Sequence, residues 1–474
     1  PPPPPLPPVG KDPSPPPPSQ TIDIRAKMWC SWGWCETYTA AATAEPFEIP
    51  FTLSAHSGAI WATHADSTLP ASEPSEVFFK GANWAGFQAD GCPHHLRWFT
   101  ADEHVARLVQ LDMNLVRLPL SAPLVAADSW VTDSWMCDEY DATETLAVLD
   151  DVIDKLARAG VMVMLDMHTA SEPEKNDGLW CGESACDDDN EAELFAAWEK
   201  LADRYCGSPS VVMADLFNEP YKAWWGNGDR GNDWHDAAQR LGDHVLSHCE
   251  RWLIVVEGNT GWGDADDCSP YGCWWGENLA GHRDDPIVLS VPNRVVLSPH
   301  LYGHGNHNYF SDSDFPNNLP TVWDQLWGRV PADQGYPIIV GEWGGHLEEA
   351  VFNGNTYRDT TVWQNALLDY MIARRLSGFC YWTLNDNSFS TGSLMDESNE
   401  DKWAMLARAN VTSVVSLNER WLAATPTPRA PPSPPAPSPS PPPPAPSPSP
   451  PPSPPEPSPP LVPPPVPPPP LTPP

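Results

Sequence analysis

VVMADLFNEP, Val211–Pro220, opens as an apolar run with the character of a buried strand and stops at Asn218-Glu219-Pro220. A carboxylate at the C-terminal tip of such a strand, fixed by the proline after it, is costly unless it has a task beyond solubility. Far downstream PIIVGEWGG, Pro337–Gly345, has the same design and ends in Glu342. Between and around these two stretches the same unit recurs. VFFKGANW (Val77–Trp84), NLVRLPLS (Asn114–Ser121), VMVMLDMH (Val161–His168), WLIVVEG (Trp252–Gly258), VVLSPHLYG (Val295–Gly303) and GFCYWTLN (Gly378–Asn385) complete eight short strands. Helical stretches alternate with them: Asp102–Leu111, Thr143–Ala159, Asn190–Tyr205, Asp233–Cys249, Pro320–Val330 and Thr361–Arg375. Strands that are apolar throughout, rather than alternating, have both faces covered. Strand and helix in regular alternation predict an α/β fold, a (β/α)₈ TIM barrel with long loops at its C-terminal face.

Each strand tip carries a polar or aromatic side chain: Trp84, Arg117, His168, Glu219, Glu257, His300 with Tyr302, Glu342, and Trp382. In such barrels that face carries the active site. Two strand-end glutamates there are what a retaining glycosidase requires. One protonates the leaving oxygen while the other attacks the anomeric carbon, with the carboxyls about 5–5.5 Å apart. Each residue alone also has an ordinary structural reading. Arg117 can cap strand carbonyls, the histidines can be satisfied structural groups, and Trp84 and Trp382 can be core aromatics.

Composition bounds the rest. The chain has 474 residues, 61 of them proline, and these crowd into the two ends. Segments of Pro, Ser and Ala bury too little to fold and are expected to be disordered, extended polyproline II spacers. The domain reading is therefore a spacer over 1–20, a Trp- and Cys-bearing extension of unassigned role over 21–50, the catalytic barrel over 51–424, and a proline/serine-rich tail over 425–474. The chain opens inside a spacer without an initiator methionine, as a processed or excised piece would. The net charge of −37 repels phosphate backbones and anionic membranes, so no nucleic acid or membrane partner is expected. A neutral polysaccharide is indifferent to it, and salt tolerance or solubility would account for it equally. No apolar run is long enough to span a bilayer.

Eleven cysteines point to an oxidising compartment and a secreted protein. Local pairs are Cys30–Cys35, Cys181–Cys186 and Cys268–Cys273; Cys206–Cys249 and Cys92–Cys137 could bridge as well. An odd number leaves one thiol over, and Cys380, mid-strand in GFCYWTLN, is the expected one. No cofactor and no metal are expected. The cysteine spacings are not those of zinc sites, and His94, His95, His304 and His307 show no carboxylate at ligand spacing. The 24 tryptophans suit the flat faces of sugar rings. Trp274 and Trp275, in the long loop after the fifth strand, are the first candidates for a further subsite, ahead of Trp180, Trp224, Trp225 and Trp262.

The motifs NEP and GEWGG, with NLVRLPLS, SPHLYG and YWTLNDNSFSTGSL in order, resemble glycoside hydrolase family 5. CWWGENLAGH and FPNNLPTVWDQLWG are similar to its subfamily 1, the bacterial-type endo-β-1,4-glucanases. The resemblance spans Phe51–Leu406; Met167 stands where related enzymes often carry arginine. It implies Glu219 as general acid/base and Glu342 as nucleophile. Asn218 would hold the sugar 2-hydroxyl, Arg117 would keep Glu342 ionised and Tyr302 would orient it. His168 and His300 would line the cleft, with Trp382, Trp84, Trp274 and Trp275 binding substrate. The implied function is a secreted cellulase acting on β-glucan with retention, a monomer tethered through its spacers to a binding module or another domain. The same chemistry on mannan, xyloglucan or mixed-linkage glucan is the near alternative. An inactive cell-wall protein that binds polysaccharide is the distant one.

If the proline-rich ends and Thr21–Pro50 lie outside the folded unit, a chain cut to residues 51–424 unfolds at about the same temperature as the whole. A large fall in a thermal scan would show that Thr21–Pro50 is built into the barrel.

Overall fold

A computed structural model describes residues 51–409, apart from 65–73, 130, 132–135, 141–142, 176, 261–267, 269–270, 304–306, 353–354, 358, 386–390 and 397–398. The expectations for residues 1–50, for the tail, and for Trp262 and His304 lie outside the described residues.

Eight parallel strands form the barrel: Phe79–Asn83, Leu115–Ser121, Met162–Thr169, Val211–Asp215, Leu253–Glu257, a sixth in two pieces, Ile339–Gly344 and Gly378–Tyr381. The sixth strand breaks at Pro299 into Val295–Ser298 and His300–Tyr302, since proline brings no N–H to the ladder. Its first piece pairs with the fifth strand and its second with the seventh. A bridge between Leu297 and Ile338 closes the ring.

The helices follow the expected bounds to within about two residues. The first long one, Ala101–Gln110, starts in a capping box in which Thr100 and Glu103 satisfy each other's backbone N–H. The stretch expected as a helix over Pro320–Val330 is helical but not uniform: α-helical Leu319–Trp323 and Val330–Gln334 flank a π-helical turn, Asp324–Gly328.

A strand has period two, and the barrel uses it to sort its layers. Val116, Leu118 and Leu120 of the second strand, Val163, Leu165 and Met167 of the third, and Ile254 and Val256 of the fifth belong to the core shared with the helices. The alternate residues face inward. Phe79, Leu115, Met162, Met164, Met213, Leu253, Val255, Ile339 and Cys380 fill the lower barrel. Further along the same inward rows stand Arg117, Asp166, Asp215 and Glu257, and Glu342 joins them through the bulge between Val340 and Trp343; all are buried. The polar layer rests on an apolar plug.

The sequence reading missed the floor of the barrel. Phe51–His56, Ala59–His64 and Ser75–Val77 form an antiparallel sheet, and its Leu53, Ala55, Ile60, Ala62 and Val77 join the lower-barrel cluster. The signal was present. Alternating residues flank Ser57-Gly58, and both turn residues take positive φ, 56° and 75°, as a two-residue hairpin requires.

Disulfides join Cys92–Cys137, Cys181–Cys186, Cys206–Cys249 and Cys268–Cys273. Among the described residues Cys380 is the free cysteine, fully buried, and burial pushes its thiol up. It acts as a small apolar filler. Alkylation of the denatured, unreduced protein followed by peptide mapping is expected to label Cys380 among the cysteines of the folded part. Recovery of Cys380 in a disulfide-linked peptide would contradict its strand-centre placement.

Candidate active site

Arg117 is the hub of the polar layer. Its Nε donates to Asp215 Oδ2 at 2.8 Å, and Nη1 donates to Glu342 Oε1 at 2.7 Å and Asn83 Oδ1 at 3.1 Å. Nη2 donates to Asn218 Oδ1 at 2.9 Å and Glu257 Oε1 at 3.1 Å, and lies 3.0 Å from Asp166 Oδ2. The guanidinium is wholly buried, and the surrounding carboxylates hold its pKa above the ordinary value against desolvation.

Glu342 Oε2 accepts from the Tyr302 hydroxyl at 2.8 Å. Burial raises its carboxyl, while Arg117, His168 and Tyr302 oppose the rise. Glu219 has weaker support: the Trp274 indole N–H donates to its Oε1 at 3.0 Å, and His300 Nδ1 lies 3.4 Å from that oxygen. Burial first, then the charge of Glu342, push the Glu219 carboxyl well above the usual range. An oxygen of Glu219 and one of Glu342 lie within 4.8 Å of each other and of a His300 nitrogen. With a fixed cation and a phenol on one carboxyl and an indole on the other, a shared proton belongs to Glu219.

The backbone at Glu219 is strained, with φ 47°, a conformation an L-residue adopts only when its surroundings hold it there. Its N–H donates to Glu257 Oε2 at 2.7 Å, and its carbonyl accepts from Tyr221 N at 2.6 Å. Gly276, at φ 75°, brings the Trp274 loop down onto Glu257; a Cβ there would lie 2.7 Å from Glu257 Oε2. Thus Glu257, noted in the sequence only as a strand tip, joins Arg117 to the Glu219 backbone.

Asp166 and Asp215 were missed as members of the site. Their signal was position: both stand on the inward row, Asp166 two residues before His168 and Asp215 at the end of the fourth strand. Burial lifts each to about 7, against the pull of Arg117. His168 Nδ1 lies 2.7 Å from Asp166 Oδ2, and desolvation lowers the ring to about 4, so it is neutral and donates. Its ring stacks on Trp382 at 5.8 Å. Desolvation also keeps His300 neutral. Trp274 packs on Tyr302 at 5.1 Å, and Trp275 stacks on Tyr221 at 4.3 Å while remaining 38% exposed.

The structure therefore brings together Glu219, Glu342, Arg117, Asn218, His168, His300, Tyr302, Trp382 and Trp274, with Trp275 at the rim. Trp84 does not join them. It is fully buried, stacks on His104 at 4.8 Å and belongs to the helix-side core. The inward position falls one residue earlier, on Asn83, which accepts from Arg117 and donates to Gly341 O at 3.0 Å. Trp180 is likewise core, its indole donating to Glu191 at 2.9 Å. His94, read as lacking a carboxylate partner, has one in Asp90 at 2.6 Å, four residues earlier. Two sets of cleft groups, Asp215–Glu257–His300 and Glu219–His300–Glu342, also have the spacing of metal ligands. Arg117 already bonds Asp215, Glu257 and Glu342, so the positive charge such sets call for is built into the protein.

The model of the family described as "Cellulase (glycosyl hydrolase family 5)" matches residues 77–388, from the first strand to just past the eighth. The chain belongs to glycosyl hydrolase family 5. An endoglucanase of Paenibacillus polymyxa is 36% identical to this family 5 hydrolase over 359 residues, covering 74% of this chain and 86% of that one. The major extracellular endoglucanase of Xanthomonas campestris pv. campestris is 33% identical over 348 residues, 72% of this chain and 68% of the relative. Among solved structures, an endocellulase from Pyrococcus horikoshii in complex with cellotetraose superposes with TM-score 0.66 at 28% identity, over 77% of this chain and 99% of that one.

The buried carboxyls of this family 5 barrel give its stability a pH signature. Asp215 keeps its proton to about pH 7 when folded but releases it near 4 when unfolded. Its contribution is full below about pH 4, declines as pH rises and is gone above about pH 7. Asp215→Asn cannot titrate. Measured by denaturation, wild-type stability relative to Asp215→Asn should fall between about pH 4 and pH 7, by at most about 1.4 kcal/mol per unit, and level off above. A difference that grows with pH would reverse the assignment.

Proposed function

We propose that this protein is an endo-β-1,4-glucanase that cleaves internal bonds of a β-glucan with retention of anomeric configuration. The observation that carries the reading is the pair of carboxyls, Glu219 and Glu342, with oxygens within 4.8 Å of each other. That closeness suits direct attack by one of them better than the wider separation of an inverting pair.

In the first step a Glu342 oxygen bonds to the anomeric carbon. The bond from that carbon to the leaving glycosidic oxygen breaks, and the oxygen takes the proton of Glu219. Arg117 and Tyr302 hold Glu342 ionised and aimed, and Asn218, itself fixed by Arg117, faces the sugar 2-hydroxyl. Esterification removes the negative charge of Glu342, so the Glu219 carboxyl falls back toward its usual range and becomes a base. It then takes a proton from water, whose oxygen attacks the same carbon and frees Glu342. Trp382 and Trp274 supply apolar faces beside the pair, and the indole N–H of Trp274 steadies the ionised form of Glu219.

The endo mode on β-1,4-glucan is supported by the endoglucanase relatives, and secretion by the disulfides and the extracellular relative. We extend the reading to a monomeric barrel over 51–424, joined through its proline-rich ends to a binding module or another domain.

Reducing-sugar release from carboxymethylcellulose, with mannan, xyloglucan and mixed-linkage glucan alongside, tests the substrate. No release from any of them would leave only a binding protein. Glu342→Ala and Glu219→Ala should each lose activity by about a thousandfold or more. With azide, Glu342→Ala should yield the inverted glycosyl azide and Glu219→Ala the retained one; the same anomer from both would overturn the roles.

A further inference from the structure

We infer that Glu199, His244 and His248 form a surface site for a divalent transition-metal ion of the zinc or copper type, on the outer helices and apart from the cleft. His244 and His248 stand four residues apart in the last turns of the helix Trp234–His248, so their rings share one face. The ring centroids are 5.1 Å apart. Glu199 comes from the adjacent helix, Ala192–Tyr205. One ligand atom of each residue lies within 4.8 Å of the others.

Proximity alone would be weak support. The second observation is that each imidazole has one nitrogen held. His244 Nε2 lies 3.1 Å from the carbonyl oxygen of Phe195, and His248 Nδ1 lies 2.9 Å from Asp203 Oδ1. Both neighbours are acceptors, so those nitrogens carry the protons. The lone pairs fall on Nδ1 of His244 and Nε2 of His248. An imidazole whose N–H is anchored on a carbonyl or carboxylate is the usual arrangement of a metal-bound histidine. Two imidazoles and a carboxylate leave a fourth, water-filled position on zinc. They favour copper or zinc over magnesium or calcium, which take oxygen ligands.

The scaffold is rigid where it needs to be. Cys206 and Cys249, the residues just after Tyr205 and His248, are disulfide-bonded, so the two helices are already joined beside the site. Little ordering remains to oppose binding, and the exposed side chain of Glu199 has freedom to close onto the ion. A bound ion would then be a second staple between the helices.

Equilibrium dialysis of the full chain, stripped with chelator and titrated with zinc chloride, tests this. Wild type should take up one more ion than His248→Ala, and zinc should raise the melting temperature of wild type more than that of the variant. Asp203→Ala, which keeps all three ligands but removes the acceptor that holds the His248 ring, should bind that ion about tenfold more weakly. The metal-free proteins should hydrolyse substrate alike. Equal uptake by wild type and His248→Ala overturns the site. Unchanged affinity in Asp203→Ala overturns the ring anchoring on which it rests.

Discussion

One guanidinium amid a ring of carboxyls is the constraint on which the rest depends. Asp166, Asp215, Glu257 and Glu342 lie within 3.1 Å of Arg117, and Glu219 is held by a partner of that ring. One positive charge cannot offset so many negative ones in a dry interior, where an unpaired ion costs several kcal/mol. The cluster therefore retains protons. The strongest contacts of Arg117 go to Asp215 and Glu342, and Glu219, which receives no bond from it, is a natural place for a mobile proton. Placement of the cation thus divides labour between two chemically identical side chains.

The same arrangement accounts for the apolar plug beneath. Methionine, leucine and valine below the polar layer exclude water from the underside of Arg117, and the antiparallel floor seals the lower mouth. Without that seal solvent would screen the cluster, and the Glu219 carboxyl would settle toward an ordinary value. Stability is spent here to hold protonation states: buried carboxyls and a glutamate in left-handed backbone are unfavourable features that only a tightly packed surround can sustain.

Most of this was legible in the sequence because strand and helix differ in period and because strand tips of a barrel converge. All eight strands, the six helices and the Glu219–Glu342 pair could be read so, though not the π-helical turn inside one of the helices. What escaped depended on parity or on distant contacts. Trp84 and Asn83 are neighbours, and VFFKGANW, three apolar residues followed by Lys80 and Gly81, gives no alternation to tell which faces inward. Asp215 went unremarked and Glu257 was noted only as a strand tip, because their meaning lies in Arg117, 98 and 140 residues away. Trp274 looked like a platform for sugar, whereas its N–H reaches Glu219. The floor hairpin announced itself through Ser57-Gly58 but lay ahead of the first repeat of the barrel pattern.

The break at Pro299 has a further meaning. The half-strand it releases pairs with the seventh strand, setting His300 beside Glu342 and Tyr302 beside Gly344 in one ladder. Adjacent strands keep a spacing of about 4.8 Å, a ruler that thermal breathing scarcely alters. Aim and attack are thereby measured from a common origin. The break leaves no gap: Leu297 and Pro299 also touch the seventh strand and its approach, so both halves of the sixth strand are referred to the one that carries Glu342.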